Sequence, residues 1–222
     1  MAELTPSIIA ADFTQLGAEL DLVAPFSVRW HVDVMDGHYV PNLTIGPMIV
    51  EAIARCSSLP QDVHLMITNP DDTWEWYAKA GASRIAFHPE TSSDPEKLLK
   101  TVAEHGLGAG LAVNPDVEAD AVKTYLDLVD HLIVMSVYPG FSGQAFIPEA
   151  LPKLEVLRRW VDERGGGVDL IIDGGVSPST APDCVAAGAD LIVSASAVFG
   201  ADDAAKVASE LAAIARKGRS DS

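Results

Sequence analysis

Four residues of this 222-residue chain are of types that bind transition metals and carry protons: His31, Asp33, His64 and Asp173. His31 and Asp33 lie in Trp30-His31-Val32-Asp33-Val34-Met35-Asp36-Gly37. Alternate side chains of a strand share a face, so His31, Asp33 and Met35 point the same way. His64 and Met66 repeat the alternation, and Asp173 ends an apolar run before Gly174-Gly175. Two imidazoles and two carboxylates meeting at one point suit a single divalent cation: zinc, iron, manganese or cobalt. An ion that accepts five or six ligands would keep positions open for substrate oxygens. Each residue also has a plainer reading. A buried histidine commonly only hydrogen-bonds, and an aspartate before Gly-Gly, or Asp36 before Gly37, commonly only forms a turn. Four ligand types at three strand ends are hard to explain as separate accidents.

A second set of residues suits an anion. Gly140-Phe141-Ser142-Gly143, Gly174-Gly175 and Ala195-Ser196 are small-residue loops whose backbone N–H groups could cradle a phosphate. The 15 lysines and arginines fall on expected helices, at strand starts or in the tail, with Arg29 and Arg84 at strand starts. A phosphate would therefore be held by backbone rather than by cationic side chains. Met35 and Met66 are expected to line the site, and Met135 to fill core.

The elements that must position these groups follow from hydrophobic periodicity. Apolar runs predict strands over 4–9, 28–34, 62–66, 84–87, 108–113, 132–137, 169–172 and 191–194. Amphipathic stretches predict helices over 13–23, 47–54, 70–80, 95–104, 117–126, 148–161, 178–187 and 204–217, with Asn69 capping the third. Eight strand-then-helix units predict an α/β fold: a single (β/α)8 TIM barrel, one domain over 1–222 with a frayed tail over 218–222. An open doubly wound sheet is the alternative. A barrel puts its active site at the strand C-termini. Ser7, His31, Asp33, Asp36, His64, His88, Asn114, Ser136, Asp173 and Ser196 all fall there.

The formal net charge of −17 and pI near 4.5 argue against nucleic-acid and anionic-membrane partners, which an acidic surface repels. Cys56 and Cys184 lie far apart and form no metal or disulfide pattern. No signal-peptide pattern opens the chain and no apolar run reaches membrane-spanning length, so a cytoplasmic protein is expected.

Several stretches carry a resemblance. Pro6-Ser7-Ile8-Ile9-Ala10-Ala11-Asp12-Phe13, the run from His31 to Asn42, His64-Leu65-Met66, the run from Met135 to Gln144, and Asp173-Gly174-Gly175-Val176 resemble ribulose-phosphate 3-epimerases. The likeness runs from Ser7 to about Phe199. It implies one divalent cation held by His31, Asp33, His64 and Asp173, with Asp33 and Asp173 as acid/base groups. It also implies that Ser7 and His64 touch the substrate. Gly140, Phe141, Ser142, Gly143, Gly174, Gly175, Ala195 and Ser196 would hold its phosphate. The implied reaction inverts C3 of D-ribulose 5-phosphate, a step of the pentose phosphate pathway. The expected partner is a small sugar phosphate and the expected assembly a homo-oligomer. Ser142 and Ala195 replace glycines common in the family, and Tyr138 occupies a variable lid-loop position. Phe146-Ile147-Pro148-Glu149 is similar to allulose-6-phosphate 3-epimerases, which keeps that substrate open. A decarboxylase on a similar barrel would favour Asp-x-Lys-x-x-Asp, but position 35 is Met. A non-catalytic sugar-phosphate binder remains the reading from a different class.

Overall fold

The structure, a computed structural model, describes residues 1–218. Its eight parallel strands are β1 (Glu3–Pro6), β2 (Trp30–Met35), β3 (Gln61–Met66), β4 (Arg84–Phe87), β5 (Gly108–Val113), β6 (His131–Met135), β7 (Asp169–Asp173) and β8 (Leu191–Ser194). They form one sheet in the order β1-β8-β7-β6-β5-β4-β3-β2. A parallel bridge between Ser7 and His31 brings the two edges together. The sheet is thus a barrel, and the doubly wound alternative is excluded.

Helices α1 (Leu16–Val23), α2 (Pro47–Cys56), α3 (Pro70–Ala80), α4 (Pro95–Glu104), α5 (Ala150–Glu163), α6 (Ala181–Ala186), α7 (Ser196–Phe199) and α8 (Ala204–Lys217) lie between and after the strands. Asp94 and Asp203 cap α4 and α8 by accepting from Lys97 N and Lys206 N at 3.1 and 2.9 Å. Asn69 stands at the N-cap of α3, but its side chain does not cap. Its carbonyl instead accepts from Thr73 Oγ1 at 2.9 Å.

The helix expected over 117–126 is replaced by a 3-10 segment, Ala119–Tyr125. Its buried residues, Ala119 and Val122, are three apart. A period of three matches three residues per turn, whereas an α-helix needs a broader stripe. The helices expected over 148–161 and 178–187 begin two and three residues later than expected, at Ala150 and Ala181. Apart from Gly218, which ends α8, the expected tail lies outside the described residues.

Strand alternation separates two apolar regions. Val32, Val34, Leu65, Phe87, Leu111 and Leu132 face outward and pack under the helices. Ala86, Ala112, Ile133, Met135, Ile171, Leu191 and Val193 fill the barrel. At the strand starts Arg29 Nε meets Asp62 Oδ1 at 2.6 Å, and Arg84 Nη2 meets Asp169 Oδ2 at 2.5 Å. These two arginines serve the barrel floor and not its mouth. No helix of the described residues is long and apolar enough to cross a membrane.

Candidate active site

The register that pairs Asp33 with His64 also pairs His31 with Asp62, so β2 and β3 present their polar groups side by side. Asp173 enters from β7, which β1 and β8 separate from β2. His31, Asp33, His64 and Asp173 each contribute a ligand-type atom, and these atoms all lie within 4.8 Å of one another. His31 Nε2 lies 3.2 Å from Asp33 Oδ1 and 3.3 Å from Asp173 Oδ2. His64 Nδ1 lies 3.5 and 3.6 Å from the same two oxygens.

Neither His31 Nε2 nor His64 Nδ1 makes an aligned hydrogen bond, although both are buried. Buried polar atoms are ordinarily satisfied. Orphaned imidazole nitrogens facing two carboxylates fit a shared cation, and the nitrogen–oxygen donor set suits zinc, iron, manganese or cobalt.

The charges are strongly coupled. Burial alone would lower His31, but Asp33 and Asp173 outweigh it and hold its imidazolium well above the usual range. Burial likewise opposes the rise at His64, which the facing Asp173 and Asp33 carboxylates produce. Burial would raise Asp33 and Asp173, yet the facing histidines pull both below the usual carboxylate range. Without a metal, protons on the imidazoles stabilise the carboxylates, and a cation would take their place.

Above this cluster is a cleft of about 270 Å³. Asp33 and Asp173 reach its floor, while His31 and His64 lie beneath it with no exposed surface. The cleft brings together Ser7, Met35, Met66, Gly140, Phe141, Ser142, Gly143, Gly174, Gly175, Ala195 and Ser196. No lysine or arginine lines it among the described residues. Lys153, on α5, does reach a strand end, where Nζ donates to Asn114 O at 2.5 Å and Pro115 O at 3.0 Å. It fastens the loop after β5 from outside the mouth.

Met135 corrects an expectation. It fills the barrel, as anticipated, but also lines the cleft beside Met35 and Met66. Strand alternation places it on or near the inward face but does not separate core from lining, because an inward residue at a strand end belongs to both regions.

Neighbouring residues hold the site in place. Ser7 Oγ donates to Asp33 Oδ2, leaving Asp33 Oδ1 for the cluster. Thr44 Oγ1 accepts from Met35 N and donates to Asp33 O, at 2.9 and 2.7 Å. Ser136 Oγ bonds the carbonyls of Asp173 and Gly174 at 3.0 and 2.6 Å. Gly174 and Gly175 have φ of +115° and +65°, a region that favours glycine. Asp36 is a loop clamp and not a ligand: it accepts from His38 N, Tyr39 N and Thr68 N. Gln144 Nε2 stitches the loop after β6 by donating to Tyr138 O and Phe141 O, at 2.7 and 2.9 Å. Tyr138 and Phe141 are themselves exposed at the rim.

The barrel class is shared widely. The fold matches thiamine phosphate pyrophosphorylase of Pyrococcus furiosus with a TM-score of 0.67 at 17% identity, covering 98% of this chain and 96% of that one. It matches 3-hexulose-6-phosphate synthase of Salmonella typhimurium with a TM-score of 0.72 at 15% identity, covering 97% and 99%. At such identities the likeness concerns the fold alone.

Sequence comparison is more specific. Residues 3–199 match the model of the ribulose-phosphate 3 epimerase family. The chain is 43% identical over 213 residues to the ribulose-phosphate 3-epimerase of Bacillus subtilis, covering 95% of this chain and 98% of that one. It is 47% identical over 206 residues to ribulose-phosphate 3-epimerase 1 of Cupriavidus necator, covering 90% and 86%. The chain belongs to the ribulose-phosphate 3-epimerase family, and it is an enzyme of the isomerase class.

Proposed function

We propose that the enzyme inverts C3 of D-ribulose 5-phosphate, giving D-xylulose 5-phosphate through a 2,3-enediolate. Asp33 and Asp173 are its acid/base pair, and His31, Asp33, His64 and Asp173 hold one divalent cation. The observation that carries this reading is the convergence of two carboxylates from well-separated strands onto one pair of imidazoles.

The C3 proton lies beside a ketone and is only weakly acidic. Inversion requires one proton acceptor and one donor on opposite faces of a planar intermediate. Asp33 on β2 and Asp173 on β7 come from different sides of the mouth. Either can take the proton while the other returns one. At the start of a turnover the accepting carboxylate is ionised and its partner carries the proton it returns to the opposite face, and the two exchange states in the reverse direction. Ser7 donates to Asp33 Oδ2 and so fixes the carboxylate plane. When bound, the cation would stabilise the negative charge that develops on the substrate oxygens. Met35, Met66 and Met135 exclude water and offer no exchangeable proton. With no cationic side chain in the cleft, the N–H groups around Gly140, Phe141, Ser142, Gly143, Gly174, Gly175, Ala195 and Ser196 hold the phosphate. The enzyme acts as a cytoplasmic homo-oligomer.

Steady-state kinetics on D-ribulose 5-phosphate and D-allulose 6-phosphate, with metal analysis of the same sample, test this reading. The pentulose phosphate should have the higher kcat/KM, with about one divalent ion per chain. Preference for the hexulose phosphate, or full activity of a metal-free sample, would overturn it.

A further inference from the structure

Behind the proposed metal ligands lies a third buried histidine, one that the mechanism does not use. His88 follows β4, has no exposed surface, and stacks on His64 with ring centroids 5.1 Å apart. Their Nε2 atoms are 3.0 Å apart. With a cation on His64 both imidazoles would be neutral, and at that distance two neutral rings share one proton in an N–H···N bond, so one donates and the other accepts. We propose that His88 is a positioning residue that fixes the tautomer of His64.

Only one of the two arrangements suits a ligand. If His64 donates through Nε2, its Nδ1 lone pair faces Asp33 and Asp173, where a cation would sit. If His88 donates, the His64 proton moves to Nδ1 and blocks that place. The surroundings of His88 select the first arrangement. Its Nδ1 lies 3.7 Å from Glu90 Oε1 and has no other partner. A carboxylate on that side favours a proton on His88 Nδ1, which leaves its Nε2 as the acceptor. Glu90 is itself held in place: Tyr39 Oη donates to Oε1 at 2.6 Å and Asn114 Nδ2 donates to the same atom at 2.9 Å. The Tyr39 ring also packs 4.9 Å from that of His88. Residues following β2, β4 and β5 thus converge behind one ligand. Such outer partners typically set ligand orientation and basicity.

This inference rests on the metal reading above, and its test separates the two. Protein labelled with 15N-histidine and loaded with Zn(II) would be examined by long-range 1H–15N correlation NMR, which needs no substitution. The expected result is His88 protonated on Nδ1 and His64 on Nε2. A proton on His88 Nε2 would overturn the proposal. Co(II) affinity, measured by chelator competition, gives an independent readout. His88→Leu should weaken binding about 10- to 100-fold. His88→Gln, whose amide oxygen can accept from His64, should recover most of that loss, and Glu90→Gln should fall between. Unchanged Co(II) affinity in a His88→Leu variant with wild-type near-UV circular dichroism would refute the role. A wild-type protein that bound neither ion would remove the metal reading itself, and this inference with it.

Discussion

In a Gly175→Ala variant the added Cβ would stand 2.6 Å from Phe146 N and 2.7 Å from Phe146 Cα. Both contacts are to backbone, so no side-chain rotation relieves them. Gly167 provides the control, with φ of +89° and nothing within 4 Å of its Cβ position. Gly167→Ala meets only the left-handed backbone penalty, about 1–2 kcal/mol. At this chain length that is a fall in Tm of about 2–8 °C. Gly175→Ala carries a similar penalty at φ of +65°, plus overpacking of about 1–3 kcal/mol. The total of about 2–5 kcal/mol corresponds to about 4–20 °C. The displaced segment matters to the cleft. Ile147 N donates to Ser136 O at 2.8 Å, and Ser136 Oγ holds Gly174 O. Competitive inhibition by inorganic phosphate should therefore weaken at least about tenfold, roughly 1.4 kcal/mol, in Gly175→Ala and stay unchanged in Gly167→Ala. Thermal melts and phosphate Ki values on both variants check this. Equal melting of the two, with a wild-type Ki for Gly175→Ala, would refute the packing argument.

Two further predictions follow from the polar groups. His31→Ala and His64→Ala should each lose bound metal while keeping a native fold, as read by metal analysis and circular dichroism. Retention of about one ion per chain in either would contradict the ligand set. Asp36 titrates at about 2 against an ordinary 3.8: burial opposes the shift, and the N–H groups of Thr68, His38 and Tyr39 outweigh it. Its folded pKa is depressed, so its stabilisation is complete above pH 3.8 and is lost as pH falls through about 2. About 1.4 kcal/mol per pKa unit gives an upper limit near 2–3 kcal/mol, which solvent screening at this largely exposed carboxylate cuts to about 1. Asp36→Asn should lower denaturant-unfolding stability by about 1 kcal/mol at pH 7, with the gap closing toward pH 2. A gap that did not vary with pH would contradict it.

The positions of the four metal-type residues were legible because strand alternation is a strict period of two. His31 and Asp33 on one face, and His64 opposite Asp33, followed once the barrel was recognised. The barrel was legible because βα units repeat at an even spacing. The fifth helix misled because Val117 to Leu126 has apolar residues at spacings that suit either an α-helix or a 3-10 segment, and only the burial at Ala119 and Val122 decides. The supports of the site were harder to read. Ser7, Thr44, Ser136 and Glu90 act across gaps of 26, 11, 37 and 51 residues, on Asp33, Asp33, Asp173 and Tyr39 respectively. No local periodicity encodes such pairings. His88 stood among the strand-end polar residues, but its partner nitrogen on His64 depends on ring orientation, which sequence does not specify.

The central claim is that Asp33 and Asp173 each serve one face of C3. It is tested most directly by running the reaction in D2O with metal-loaded wild-type, Asp33→Asn and Asp173→Asn proteins, following C3 deuterium by NMR from each epimer. Wild type should exchange both epimers. Each variant should epimerise about 10²- to 10⁴-fold more slowly, and at least one should still exchange the epimer whose C3 proton its remaining carboxylate reaches. Asp173→Asn protein that retained its metal and epimerised at the wild-type rate would make Asp173 a ligand only and contradict the account.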